Sequence, residues 1–195
     1  MSFAKKFGRV IVVDDGSNDK TAELAGDAGA TIVIKQKNAG YDEAIQAGIR
    51  HALTTQVELI ATLDADGQHT EDSLRRALSN ACENSVVIGN RSSKSRVLEH
   101  VFGFVGRICW GVSDPLCGLK VMPCRTAEQS LKIPGLINTS PIITGKKVND
   151  IMCNVPVEVR DRDGSSRFGS TIKANLTILF ALVRAIRYEI TDHNL

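Results

Sequence analysis

No stretch of the 195-residue chain approaches the ~18 consecutive apolar residues that a membrane-spanning helix requires. The five cysteines, Cys82, Cys109, Cys117, Cys124 and Cys153, form no C-x-x-C pair and are odd in number. A disulfide framework or a zinc ribbon is therefore excluded as an expectation, and a reducing cytoplasm fits better. A basic surplus is lacking too: Lys plus Arg number 24 against 22 Asp plus Glu, for a net charge of +2. General nucleic-acid binders carry a clear positive excess, so no nucleic-acid partner is expected. The opening MSFAKKFGRV has no apolar core of a secretory signal, and neither linkers of low complexity nor internal repeats occur. What is present is a globular balance, with 43% hydrophobic and 24% charged residues. The charges are unevenly placed: residues 1–80 carry 9 basic and 12 acidic side chains, whereas the rest is net positive. An acidic first part suits a cation, and a basic second part suits phosphates or an anionic membrane surface.

Short apolar runs alternate with helical patterns. Arg9–Val13, Thr31–Lys35, Glu58–Leu63 and Val86–Gly89 read as buried strands. Between and after them, Asp19–Ala28 (N-cap Ser17 or Asn18), Tyr41–Leu53 and Glu71–Cys82 read as helices. This alternation predicts an α/β fold, a mostly parallel sheet flanked by helices. Ser95–Gly111 reads as a further helix, then come a Pro/Gly-marked stretch, a short strand at Val155–Val159 and a last helix from about Ser170 to Tyr188. In such sheets ligands gather beyond the carboxyl ends of the strands. Both acidic clusters, Asp14-Asp15 and Asp64/Asp66, fall there.

Asp64-Ala65-Asp66 offers two carboxylates to one hard divalent cation, Mg²⁺ or Mn²⁺, with positions left for a substrate diphosphate. The bland alternative is an acidic loop that caps the next helix. A phosphatase D-x-D-x-T strand end is disfavoured because Gln68 occupies the Thr position. His51 and His69 have no partner spacing that marks a base or ligand, Cys117 beside Gly118 reads as a packed small residue, and no nucleophilic triad is visible.

Taken in order, VIVVDDGSNDKTAEL, KNAGYDEAIQAGIRHA, LIATLDADGQHTED, VVIGNR and DPLCGLKVM resemble the successive motifs of glycosyltransferase family 2. They are most similar to its polyprenyl-phosphate glycosyltransferases, including the dolichol-phosphate mannose synthase type. The resemblance implies a GT-A-like (Rossmann-like) fold, a divalent metal and a nucleotide-diphospho-sugar donor. It implies further that Asp14 and Asp15 approach the nucleotide base and that Asn38 and Gly40 form the turn beside the nucleotide. Asp64, Asp66 and Gln68 are implied to hold Mg²⁺ or Mn²⁺, with Asp64 also near the donor. Arg91, Lys120, Arg162 and Arg167 are implied to meet donor or acceptor phosphates, where bidentate guanidinium bonding suits Arg. Arg162 and Arg167 belong to an imperfect R-x-x-G-x-S-K element, RDGSSR, one residue short and with Arg in place of Lys. Asp114 opens the acceptor-side segment Asp114–Lys120 and is the candidate catalytic carboxylate, orienting or assisting the acceptor.

Relatives of this type begin with a further strand and helix before the V-V-D-D-G-S strand, and here only MSFAKKFG precedes it. The expected sheet therefore lacks the family's first strand, or an oligomer or partner chain completes it. One domain over residues 1–195 is expected, with a nucleotide-sugar part at 9–91, an acceptor part at 92–169 and an amphipathic helix at 170–188. The implied activity is inverting sugar transfer, of hexosyltransferase type, to a polyprenyl phosphate. Two alternatives stay open: a family 2 transferase acting on a saccharide hydroxyl, with Asp114 as base, and a truncated inactive homologue. Ile172, Leu176, Leu179, Val183 and Ile186, at spacings of four, three, four and three, share one helical face beside Lys173, Arg184 and Arg187. With Val97–Val112 they form either ordinary core or an interfacial surface that rests on an anionic cytoplasmic membrane face.

Overall fold

The computed structural model describes residues 3–35, 37–92, 96–133, 136, 138–160 and 171–191, with only the backbone at Val33, Lys35 and 171–174. Apolar alternation builds the strands β1 (Ile11–Asp14), β2 (Ile32–Lys35), β3 (Leu59–Thr62), β4 (Ser85–Arg91), β5 (Lys120–Pro123) and β6 (Ile151–Val157). Between them run α1 (Thr21–Asp27), α2 (Tyr41–Leu53), α3 (Glu71–Ser79), α4 (Val97–Trp110), α5 (Cys124–Ser130), α6 (Ser140–Lys147) and the closing α7 (Thr171–Thr191). The expected elements are present with ends shifted by a few residues. The N-cap of α1 is Lys20 rather than Ser17 or Asn18, and Asp19 instead accepts the Thr21 N–H at 2.9 Å.

Among the described residues two sheets form, β1-β2 and β3-β5-β4-β6. The pairs β1-β2 and β4-β6 are parallel, but β5 runs antiparallel to both β3 and β4. The sheet is therefore mixed rather than mostly parallel. Strand β5 escapes a sequence reading because it is four residues long and opens on a lysine. Its antiparallel course has a consequence for the site: Lys120 pairs with Thr62 at the carboxyl end of β3, so the segment before β5 arrives over the same strand ends as the acidic motif.

Residues of β4 alternate between two cores. Val86 and Ile88 face a cluster with Phe102, Trp110, Ile142, Ile143 and Leu182, and Val87 faces Leu74, Val121, Val155 and Val157. Both faces of this sheet are thus covered, as a sheet carrying helices on each side requires. Helix α2 packs on β1 and on β3 and so links the two sheets. Among the described residues no strand lies between β1 and β3. The segment Ala4–Lys6 is a single 3₁₀ turn, and Phe3 and Phe7 pack on the second core.

Candidate active site

Strand β1 delivers Asp14 and Asp15 to its carboxyl end. Asp14 is buried and accepts the Ser17 N–H at 3.0 Å, which fixes the turn that follows. Asp15 accepts the N–H groups of Ala39 and Gly40, both at 2.8 Å. A carboxylate bonded to two successive amides pins the Asn38–Gly40 turn, and Gly40 there adopts φ 95°, a conformation that favours glycine. Asp15, Gly16, Ser17, Asn18, Asp19 and Asn38 line an open, polar cleft of about 270 Å³. Of the residues expected around a nucleotide, Asp15 and Asn38 border this cleft, whereas Asp14 and Gly40 do not line it and are each hydrogen-bonded to a residue that does.

Strand β3 delivers the second acidic group. Asp64 Oδ1 accepts the Tyr41 hydroxyl at 3.1 Å, and Asp66 Oδ1 accepts the Gln68 N–H at 3.1 Å. The Gln68 side chain directs its amide nitrogen toward the Arg160 carbonyl, 3.5 Å away, which leaves its amide oxygen as the remaining acceptor. Arg160 N–H returns a bond to the Gln68 carbonyl at 3.0 Å, and His69 bridges to Val159. His69 is buried, its Nδ1 has no hydrogen-bond partner among the described residues, and burial lowers its pKa against the opposing pull of Asp64 and Asp66. Burial and the Asp64 charge push the Tyr41 phenol well above its usual range, so it stays protonated and donates.

The donor atoms of Asp64, Asp66 and Gln68 are all hard oxygens. That set fits Mg²⁺ or Mn²⁺, which take a few protein oxygens and keep positions for phosphate. Among the described residues no three His, Cys, Asp or Glu side chains converge as a closed metal cage.

Strand β4 and the loop before β5 complete the arrangement. Arg91 grips Asp114 through Nε (2.7 Å to Oδ2) and Nη2 (3.0 Å to Oδ1), with its own N–H to Oδ2 at 3.2 Å. Asp114 is 1% exposed, so this pair is nearly dry on the acid side. Arg91 Nη2 also lies 3.5 Å from buried Glu99, which pairs with Arg96 at 2.9 Å. Burial works against the Arg91 charge, but the bonds to Asp114 outweigh it and the pKa rises. Lys120 is fully buried, donates to the Cys117 carbonyl, and burial brings its pKa down to about 8. Burial likewise pushes the Cys117 thiol up to about 11, consistent with a packed, inert cysteine.

The strand ends thus bring together Asp15, Asn38, Asp64, Asp66, Gln68, Arg91, Asp114 and Lys120. Arg162 and Arg167 lie outside the described residues. Sequence reasoning missed Tyr41, Gly118 and Glu99. Tyr41 follows directly on the N-x-G turn, but no spacing rule marks it. Glu99 sits three residues after Arg96 on α4, a spacing that signals only a helical ion pair.

The family model described as Glycosyl transferase family 2 matches residues 5–102. An uncharacterized protein of Methanocaldococcus jannaschii is 28% identical, aligned over 91% of this chain and 80% of its own. The undecaprenyl-phosphate 4-deoxy-4-formamido-L-arabinose transferase of Edwardsiella ictaluri is 32% identical over 90% of this chain, which spans 57% of that protein. Its namesake from Pectobacterium atrosepticum is 33% identical over 46% of this chain and 29% of its own length. Among solved structures, glucosyl-3-phosphoglycerate synthase from Mycobacterium tuberculosis, in complex with Mn²⁺, uridine diphosphate and phosphoglyceric acid, superposes with a TM-score of 0.63. It is 15% identical and covers 93% of this chain and 73% of its own, a likeness of fold.

Proposed function

The chain belongs to glycosyl transferase family 2, and from that premise we propose that it transfers a sugar from a nucleotide-diphospho-sugar to a polyprenyl phosphate with inversion at the anomeric carbon. The observation that carries this reading is the convergence of two segments at the end of β3. Asp64 and Asp66 leave that strand where antiparallel β5 brings in Asp114–Lys120. The relatives named for transfer to undecaprenyl phosphate support the acceptor class.

On this reading residues 9–91 hold the donor, 92–169 meet the acceptor and 170–188 approach the membrane. The nucleoside enters the cleft bordered by Asp15 and Asn38, and the diphosphate lies toward Asp64 and Asp66. Mg²⁺ or Mn²⁺ held by Asp64, Asp66 and Gln68 would supply charge neutralisation for the diphosphate leaving group. An oxygen of the acceptor phosphate attacks the anomeric carbon, and the bond from that carbon to the diphosphate oxygen breaks. A phosphate is already ionised at neutral pH, so no strong base is demanded. The geometry of Asp114 agrees with this: both its oxygens are held by Arg91. A saccharide hydroxyl would require Asp114 to release Arg91 and take a proton, which makes that acceptor the less favoured one. Asp114 instead orients Arg91, whose remaining N–H groups and charge face the incoming phosphate oxygens, while Lys120, buried on the Cys117 carbonyl, adds positive charge to the site without touching them.

No described helix is long and apolar enough to cross a membrane. Exposed apolar residues on α4 and α7 support a peripheral position on the cytoplasmic membrane face, where a polyprenyl phosphate presents its head group. Calorimetry with uridine diphosphate, with and without Mn²⁺, tests the site. The parent should bind more tightly with Mn²⁺, and Asp66→Asn should lose that increment while keeping its thermal stability. Equal binding by parent and variant in Mn²⁺ would refute the assignment.

A further inference from the structure

We propose that Tyr41 is a positioning residue for Asp64, holding that carboxylate in one orientation so that a divalent cation finds it already aimed; the inference rests on the reading of Asp64 and Asp66 as cation ligands. Tyr41 is the first residue of α2, and α2 packs on both β1 and β3. Its start therefore stands over the carboxyl end of the strand that carries Asp64. The approach to Tyr41 is itself fixed, because Asp15 binds the two amides immediately before it at 2.8 Å each. A phenol presented from so constrained a turn reaches Asp64 Oδ1 at 3.1 Å.

The other side of the carboxylate meets backbone. A Cβ built on Gly118 would stand 2.2 Å from Asp64 Oδ2 and 2.7 Å from Oδ1. Only glycine leaves room there, and Thr62 ties that wall to β3 by donating to the Gly118 carbonyl at 2.9 Å. Asp64 is thus clamped between a hydroxyl donor and a glycine wall, and each is anchored to the strand or turn that precedes the site. A neutral donor matters here. A lysine or arginine in place of Tyr41 would neutralise the carboxylate and compete with the cation, whereas a phenol fixes the rotamer and leaves the full negative charge. Hydrogen bonds of this kind behind a metal ligand typically change metal affinity by 10–100-fold.

The test compares the parent, Tyr41→Phe and Asp66→Asn. Mn²⁺ affinity is read from the free-ion electron paramagnetic resonance signal, and uridine diphosphate affinity in EDTA by calorimetry. Tyr41→Phe keeps the ring and removes only the donor. It should weaken Mn²⁺ binding roughly tenfold, with melting temperature and uridine diphosphate affinity in EDTA unchanged. Parent-like Mn²⁺ affinity in Tyr41→Phe, beside loss in Asp66→Asn, would overturn the positioning role alone. If the metal-free nucleotide affinity or the melting temperature falls along with the Mn²⁺ affinity, the ring oxygen serves packing and the proposal also fails. Parent-like Mn²⁺ affinity in Asp66→Asn would remove the metal reading and this inference with it.

Discussion

A buried ammonium group with only a carbonyl as hydrogen-bond partner is held at a cost in stability. Among the described residues Lys120 is in that position, fully buried with its ammonium on the Cys117 carbonyl, while Asp114 and Asp64 act on it through their charge. Its pKa falls to about 8 in the fold, below the ordinary 10.5. Between these values the unfolded chain binds more protons than the folded one, so stability rises with pH across that window. Lys120→Met should therefore be more stable than the parent near pH 7, by about 1–4 kcal/mol, the range seen when hydrophobic groups replace buried charges. That advantage should shrink as the pH climbs above about 8. Denaturant melts at several pH values check this, and a gap independent of pH would show that Lys120 is not held charged. On the proposed function, turnover in the variant should fall, because a buried positive charge that favours phosphate at the site is gone. The sequence marked Lys120 as a phosphate contact but held no sign of its burial, since burial follows from the antiparallel placement of β5. Asp15 teaches a similar lesson. Its place at a strand end was legible, whereas the two hydrogen bonds it accepts from Ala39 and Gly40 depend on residues 24 and 25 positions away in sequence.

Periodicity located α7 but left open whether its apolar stripe is core or surface, and the structure turns most of that stripe outward. The sequence groups Ile172, Leu176, Leu179, Val183 and Ile186 on one face; the structure buries Ile178, Ala181, Leu182 and Ala185 against the core. Leu176, Leu179 and Val183 are exposed, joined by Phe180 and Ile190, and Ile186 packs at the margin of the core. Ile172 and Lys173 have no described side-chain environment. A helix apolar on more than half its circumference offers two stripes of similar strength, so periodicity alone cannot choose between them. Helix α6 was missed for a related reason: Ser140 to Gly145 are all buried, and a segment buried on every side has no polar face to set a period; α5 is only seven residues long, too short for periodicity to mark. The outward stripe of α7 lies beside α4, which packs on it and exposes Val97, Val101, Phe104 and Ile108 at spacings of four, three and four. Together with exposed Arg184 and Arg187, these faces have the character of an interfacial surface. Flotation with anionic vesicles should recruit the parent. With about 1 kcal/mol per surface cation, Arg184→Gln with Arg187→Gln should weaken that recruitment roughly 30-fold. Phe104→Ser with Phe180→Ser should reduce binding to anionic and neutral vesicles alike. Negligible recruitment of every form would return both stripes to ordinary surface.

On the scale of the whole molecule, the strand–helix alternation made the α/β architecture legible, and the five motifs in order placed the site at the strand ends. The division into two sheets was not legible, because strand order depends on which edges find partners. Strands β1 and β2 hydrogen-bond to each other and to no strand of the larger sheet among the described residues. A two-stranded unit of four residues a side is marginal in water without support from packed helices. Here the support comes from α1 and α2, and Ile11 and Val13 in β1 are only half-buried. The sheet β3-β5-β4-β6 has instead both faces covered and fully buried Val86, Val87 and Ile88 at its centre. Local opening should therefore release β1 and β2 at a lower free energy than global unfolding, carrying with it the turn that borders the cleft proposed for the nucleotide. Hydrogen exchange should show amides of Ile11–Asp14 and Ile32–Lys35 exchanging well before those of Ser85–Arg91. Uridine diphosphate with Mn²⁺ should slow the first set and leave the second unchanged, since a ligand that binds only the closed form lifts the opening free energy of the part it touches. Equal protection in both sheets without ligand would mean that they open as one unit, and the donor site would then be as firmly built as the core.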